Sequence, residues 1–165
     1  RPCTLCAALI CRGWRLLSDE LTLINTSTGL VTPLPRPVSL KNESIEVIRR
    51  FEPEAFIGRI SHDTTKGSVA HMRVPSVHVE RAKELARPAW VIFPKYVAGS
   101  TLDLVSISKG VTAISLIENS FNYSVLGILG FQTVTRLVEK ADCYQLSYSV
   151  LDEAIDCVDT LVAKA

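Results

Sequence analysis

Apolar and polar residues recur with two different periods along the chain, and the changes of period divide it into elements. Leu5, Ala8 and Leu9 fall at helical spacing, so a helix is predicted over residues 4–11, with Arg12-Gly13 as its stop. Short apolar segments at 14–17, 21–24 and 30–32 then read as strands, interrupted by Ser18-Asp19-Glu20 and by a turn over 26–29. Pro33, Pro35 and Pro37 exclude regular structure and hold Arg36 on a rigid, extended loop. Asn42 is placed to cap a helix running to about Phe51, with Glu43 and Glu46 in its first turn and Arg49 and Arg50 in its last, as the helix dipole favours. Residues 52–67 are polar and aperiodic and read as a loop. Strands are predicted at 68–72 and 89–93, the second of them central in its sheet. Helices follow at 109–118 and 124–140, with Gly127 and Gly130 read as close-packing positions inside the second and Asn119 or Asn122 as its cap rather than a ligand contact. A strand at 143–149 and an amphipathic helix at 151–162 complete the pattern.

At 165 residues the chain matches one domain of about 150 residues. Its 47% hydrophobic and 21% charged residues exclude a disordered, collagen-like or coiled-coil chain. The longest stretch without charge, 119–135, is broken by Asn122, Gln132 and hydroxyl side chains, so neither a membrane-spanning helix nor a signal peptide is expected. Five cysteines, an odd number without dense pairing, point to the cytoplasm. Cys3 and Cys6 form a CxxC, but no second pair follows, and an apolar helix with buried thiols is preferred to a zinc or redox site. The formal net charge of +1 conceals an asymmetry: residues 1–100 carry fourteen basic and nine acidic side chains, residues 101–165 four and eight. A basic half attracts phosphate, yet no run of Lys and Arg is dense enough to signal nucleic acid, and none is expected as a partner.

The sharpest chemical feature is Arg15-Leu16-Leu17-Ser18-Asp19-Glu20, an apolar strand that delivers two adjacent carboxylates to its carboxyl end. An acid there can hold magnesium beside phosphates or accept a proton from an attacking hydroxyl. Neighbours on a strand point to opposite faces, so only one of the two is expected to act directly if the strand persists to them; a solvated strand end with no role is the plainer alternative. Arg36 and Lys41 read either as phosphate clamps or as surface charges beside the proline-rich loop, and Lys66-Gly67 either as a phosphate-contacting loop or as a plain turn. His71 belongs to a strand, with a structural hydrogen bond as its expected role, while His62 and His78 read as loop or edge residues. No Gly-x-Ser-x-Gly elbow is present.

Thr4-Leu5-Cys6-Ala7-Ala8-Leu9-Ile10 followed by Arg12-Gly13-Trp14-Arg15-Leu16-Leu17-Ser18-Asp19-Glu20 resembles the segment after the P-loop in HPr kinase/phosphorylase-like proteins, specifically the HprK-related kinase A group. Pro35-Arg36-Pro37-Val38-Ser39-Leu40-Lys41-Asn42, Lys66-Gly67-Ser68-Val69-Ala70-His71, Phe93-Pro94 and Asn119-Ser120-Phe121-Asn122-Tyr123 resemble further blocks of that group in the same order. The resemblance implies an α/β fold, the HPr kinase-like (phosphoenolpyruvate carboxykinase-like) P-loop core, here N-terminally truncated as one domain over 1–165, with a mixed sheet and flanking helices. It implies an ATP- and magnesium-dependent protein kinase that transfers the γ-phosphoryl to a hydroxyl, a serine on a small carrier-like partner. By the same resemblance Asp19 is the base or magnesium ligand, Glu20 its acidic neighbour at the metal, and Thr4 the last residue of the P-loop, with Arg36, Lys41, Lys66 and Gly67 about the phosphates. The chain departs from the family at Arg1-Pro2-Cys3-Thr4, where the family has Gly-Lys-Ser-Thr: Pro2 holds the lysine position, so impaired transfer is expected. The alternatives are a pseudokinase acting as a non-catalytic binding module, and an anion or nucleic-acid binding domain using the basic half. Loss of an upstream strand would also expose apolar faces, so self-association into a homo-oligomer is expected.

Overall fold

In the computed structural model, which describes residues 2–163, the first helix α1 spans Pro2–Cys11. Leu5, Ala7, Ala8 and Ile10 are buried along it, and Gly13, at φ 94°, ends it in the left-handed conformation that suits glycine. Arg1, the first residue of the P-loop comparison, lies outside the described residues.

No strand forms over 14–17. The Leu16 N–H donates to the ring Nδ1 of His78 at 3.2 Å, and the Leu17 carbonyl accepts from the Leu34 N–H at 2.6 Å. That backbone is satisfied by a side chain and a loop, which leaves no ladder to form. The next strand is shorter than predicted: β1 (Leu23–Ile24) pairs antiparallel with β2 (Val31–Thr32), while the Leu21 N–H is taken by Ser18 Oγ. After the proline loop, a strand that periodicity had not marked, β3 (Val38–Lys41), leads into α2 (Glu43–Phe51). Asn42 stands at the start of α2, at φ 52°, but its side chain makes no capping bond.

The polar stretch read as a loop contains β4 (Ser61–Thr64), which pairs antiparallel with β5 (Gly67–Met72); β5 lies between β3 and β4 in a three-stranded sheet. A short helix, α3 (Ser76–Glu80), follows. The second three-stranded sheet holds β6 (Trp90–Tyr96), β7 (Asp103–Ser106) and β8 (Asp142–Tyr148), with β8 central, parallel to β6 and antiparallel to β7. The strand expected to be central, β6, is therefore at an edge, because the fully buried Leu146 lies on β8.

Between β7 and β8 run α4 (Lys109–Glu118), α5 (Tyr123–Leu126) and α6 (Ile128–Lys140). The single helix predicted over 124–140 is thus two helices: Gly127 adopts φ 54°, ψ −124°, which breaks the hydrogen-bond ladder. Gly130 does serve close packing, since a Cβ there would come within 3.2 Å of Tyr123. The Asn122 side chain makes no capping bond, whereas that of Asn119 donates to the Ser115 carbonyl. The last helix, α7 (Leu151–Ala163), is amphipathic as predicted, with Ala154, Ile155 and Val158 buried.

The architecture is mixed α/β, but the strands fall into three separate sheets rather than one mixed sheet. One apolar core joins α1, α2, β3, β5, β8 and α7 through Leu5, Leu40, Ile48, Met72, Leu146 and Ile155. Among the described residues no helix is long and apolar enough to cross a membrane.

Candidate functional site

The sheet of β3, β5 and β4 has two chemically distinct faces because strand neighbours alternate. Val38, Leu40, Ala70 and Met72 are at most 1% exposed and bind the sheet to the core. Ser39 pairs with His71 and Lys41 with Val69 in the β3–β5 register, and these residues occupy the opposite face. Over that face opens a cleft of about 550 Å³, walled by the 18–21 segment, the proline loop and the β4–β5 turn.

Asp19 lies in this cleft. One carboxylate oxygen, Oδ2, accepts the Ser39 N–H at 2.9 Å, which anchors the acid to β3. The other, Oδ1, is buried and has no hydrogen-bond partner among the described residues. Such an oxygen is costly to leave unmet, so it is a demand for a donor, a cation or a proton. Burial pushes the carboxyl up from its ordinary value and neighbouring Glu20 adds to the rise, while the Ser39 N–H, Lys41 and the Cys3 thiol oppose it. An acid of raised affinity for protons, fixed by one oxygen and open at the other, is suited to general-base work.

Glu20, adjacent in sequence, also lines the cleft, but it is exposed and pairs with Lys41 at 3.7 Å. The segment that carries the two acids is not a strand and both line the cleft, so the alternation expected of a strand does not separate them. Arg36 lines the cleft from the proline loop and Lys66 from the β4–β5 turn, both exposed; among the described residues neither has an ion-pair partner. Gly67 holds that turn at φ 83°, and an added Cβ would collide with the Asn42 side chain. Asn42, missed as a turn organiser, accepts the Ser68 N–H at 3.0 Å and donates to the Lys66 carbonyl. Thr64 completes the turn by donating to the Gly67 carbonyl at 2.6 Å.

Thr4 is not brought to the cleft. It is buried between α1 and α2, where its hydroxyl donates to Ser44 Oγ at 2.8 Å. Cys3, one residue earlier, does border the site: burial raises its thiol, with Asp19 opposing ionisation and Lys41 favouring it. Cys6 is pushed up to about 12 by burial, which holds its thiol neutral, and both CxxC side chains are half-buried on α1.

Of the histidines, only His71 lines the cleft; no hydrogen bond of its side chain accompanies the expected structural role. His62 bonds to Ser68 Oγ at 3.1 Å. His78, read as a loop or edge residue, is instead buried on α3 and accepts from Leu16. The signal for Ser39 and His71 as cleft residues was available in the alternation of β3 and β5, but finding it required recognising β3 after three prolines. Among the described residues no group of three His, Cys, Asp or Glu converges to hold a metal. Magnesium needs less from a protein, commonly one or two carboxylates with phosphates and water supplying the rest, and the open Oδ1 of Asp19 fits that demand. No family model, curated protein or solved structure matches the chain.

Proposed function

We propose that this chain is an HPr kinase-like phosphotransferase domain that moves the γ-phosphoryl of ATP to a hydroxyl, a serine on a small carrier-like protein in the cytoplasm. The observation that carries this reading is the Asp19 carboxylate, tied to Ser39 by one oxygen and unpartnered at the other, in a cleft edged by two cations. Asp19 takes the proton of the acceptor hydroxyl as its oxygen bonds to the γ-phosphorus and the bond to the ADP leaving group breaks. Arg36 and Lys66 hold phosphate oxygens, Arg36 with a planar donor fork and Lys66 as a point charge. Lys41 ties down Glu20 at the cleft and favours the ionised form of Asp19. With Oδ1 as its one open oxygen, Asp19 would serve either as this base or as a ligand of magnesium, whose charge would offset that on the phosphates.

The test is calorimetric titration of magnesium and ATP into the folded chain and its Asp19→Asn variant, followed by phosphotransfer to candidate carrier proteins. Binding that depends on Asp19, with transfer abolished in the variant, is the expected result. A folded chain that binds no nucleotide would end the reading.

A second reading, a non-catalytic binding module, is favoured by two observations. Pro2 holds the position of the phosphate-cradling lysine, and the Thr4 hydroxyl is spent on Ser44 rather than turned to the cleft. Anion binding without turnover, indifferent to Asp19→Asn but lost with Arg36→Ala, would distinguish it.

A further inference from the structure

The helical hairpin between β7 and β8 presents an apolar surface that the intramolecular fold does not use. Phe121 is 88% exposed, Val125 85% and Ile128 77%, the most exposed of the large apolar side chains. Phe131 continues this surface one turn along α6 from Ile128. On α4, which packs against α6, Val111 and Ile114 project away from the buried Thr112. Gly127 shapes the surface, because the break it makes between α5 and α6 sets Val125 and Ile128 on either side of a bend.

Two quantities decide what covers this face. Side chains of about 150–200 Å² each, half to nine-tenths exposed, amount to roughly 700 Å², beyond the largest patch of an ordinary monomer and near the 800 Å² or so that each partner buries in a standard interface. The second is charge. Residues 119–135, which supply the four central side chains, contain no Asp, Glu, Lys or Arg, so the centre of the surface carries no sign for a charged partner to complement, and the charges of α4, Lys109 and Glu118, stand at the two ends of that helix. A charge-free surface meets a copy of itself without repulsion, which is what a twofold, isologous contact requires.

We propose that the face formed by Phe121, Val125, Ile128 and Phe131, flanked by Val111 and Ile114, is a homodimer interface in which two copies of this chain pair about a twofold axis. The side chains involved lie away from the Asp19 cleft and line none of its walls, so pairing does not depend on nucleotide.

The test is sedimentation velocity of the full chain over a micromolar concentration series, with wild type, Val125→Glu and Val125→Lys compared. Wild type is expected to be a dimer. Each variant brings like charges together across the axis and is expected to weaken dimerisation by about a hundredfold or more while leaving the far-ultraviolet circular dichroism unchanged. Mixing Val125→Glu with Val125→Lys is expected to restore a dimer through opposite charges, which a variant that had merely misfolded could not do. A wild-type chain that stays monomeric across the series would overturn the proposal, including one that stays monomeric because a different protein covers the face. A dimer indifferent to both variants, or open-ended aggregation in place of a closed dimer, would overturn it equally.

Discussion

The cleft and the helical hairpin are both incomplete, in opposite chemical senses. In the cleft, polar groups are tied down by the fold: Asp19 Oδ2 by Ser39, the Lys66 turn by Asn42, Glu20 by Lys41. What remains unmet is a carboxylate oxygen in a concavity. On the hairpin, the backbone is satisfied and what remains unmet is apolar area on an outward face. An unmet acid in a hollow calls for a small ligand, whereas an unmet apolar area on a broad face calls for a second macromolecular surface. Under the two proposals each deficit is met by a different kind of surface, a ligand in the hollow and a second copy of the chain on the face.

The largest effect expected from breaking this contrast is at Asp19. Asp19→Asn keeps an oxygen for the Ser39 N–H and removes the base, so phosphotransfer should fall by about 10²–10⁴-fold in a steady-state kinase assay. Stability should move the other way. The carboxyl sits above its ordinary value of 3.8, so the folded state holds the proton more tightly than the unfolded chain. Ionising Asp19 then costs stability, a cost absent below 3.8 and complete once pH has risen through the raised folded value. Thermal melts at neutral pH should find Asp19→Asn more stable than wild type, with the difference closing as pH falls toward 3.8. An acid that served only the fold would show the reverse.

A second expectation separates the core beneath the cleft from the hairpin surface. Leu40 is fully buried on the core face of β3, and Leu40→Ala should cost about 2–5 kcal/mol in urea unfolding. Val125→Ala removes an exposed side chain and should change monomer stability by no more than about 0.5 kcal/mol. If Val125→Ala proved costly to the monomer, the hairpin surface would be part of the intramolecular core, and the contrast between the two regions would fail.

Third in size is Gly67→Ala. A residue with Cβ at φ 83°, against the Asn42 side chain, should cost about 1–2 kcal/mol and displace the Lys66 turn from the cleft. Asn42→Ala in the same background should recover part of the loss if the collision contributes, and none if the dihedral angle alone is responsible.

The parts of this molecule that were legible in sequence are those whose burial follows one strong period. α2 and α7 have helical spacing with Ile45 and Ile48, or Ala154, Ile155 and Val158, turned to the core. β8 alternates Cys143, Leu146 and Tyr148 into the interior, with a change of phase between the first two. β4 could not be read this way, because Ser61-His62-Asp63-Thr64 has no apolar residue and its strand state comes only from pairing with β5. Residues 14–17 failed for the converse reason: their apolar side chains suit a strand, but His78, distant in sequence, takes the backbone donor. Asp19 was legible as a chemical candidate from its place after an apolar run. Its Ser39 anchor and open Oδ1 are tertiary facts that no spacing encodes. The exposure of Val125 was hidden because an apolar residue in a helix reads as core until the packing is known.

The smallest expected effect tests how finely the cleft is tuned. Lys41 pairs with Glu20 across 3.7 Å with both side chains partly exposed, so Lys41→Met should cost no more than about 1 kcal/mol of stability. Its influence on Asp19 is the sharper readout. Lys41 favours the ionised carboxylate while Glu20 and burial oppose it, so removing the cation leaves two upward influences less opposed. The acid limb of the pH–rate profile should shift to higher pH in Lys41→Met, with the plateau above it retained as long as the ammonium takes no part in transfer. Added salt should not reproduce that upward shift, since screening weakens the larger opposing Glu20 field together with that of Lys41. A limb that stays in place while the plateau falls would assign Lys41 to the phosphate itself rather than to the tuning of Asp19.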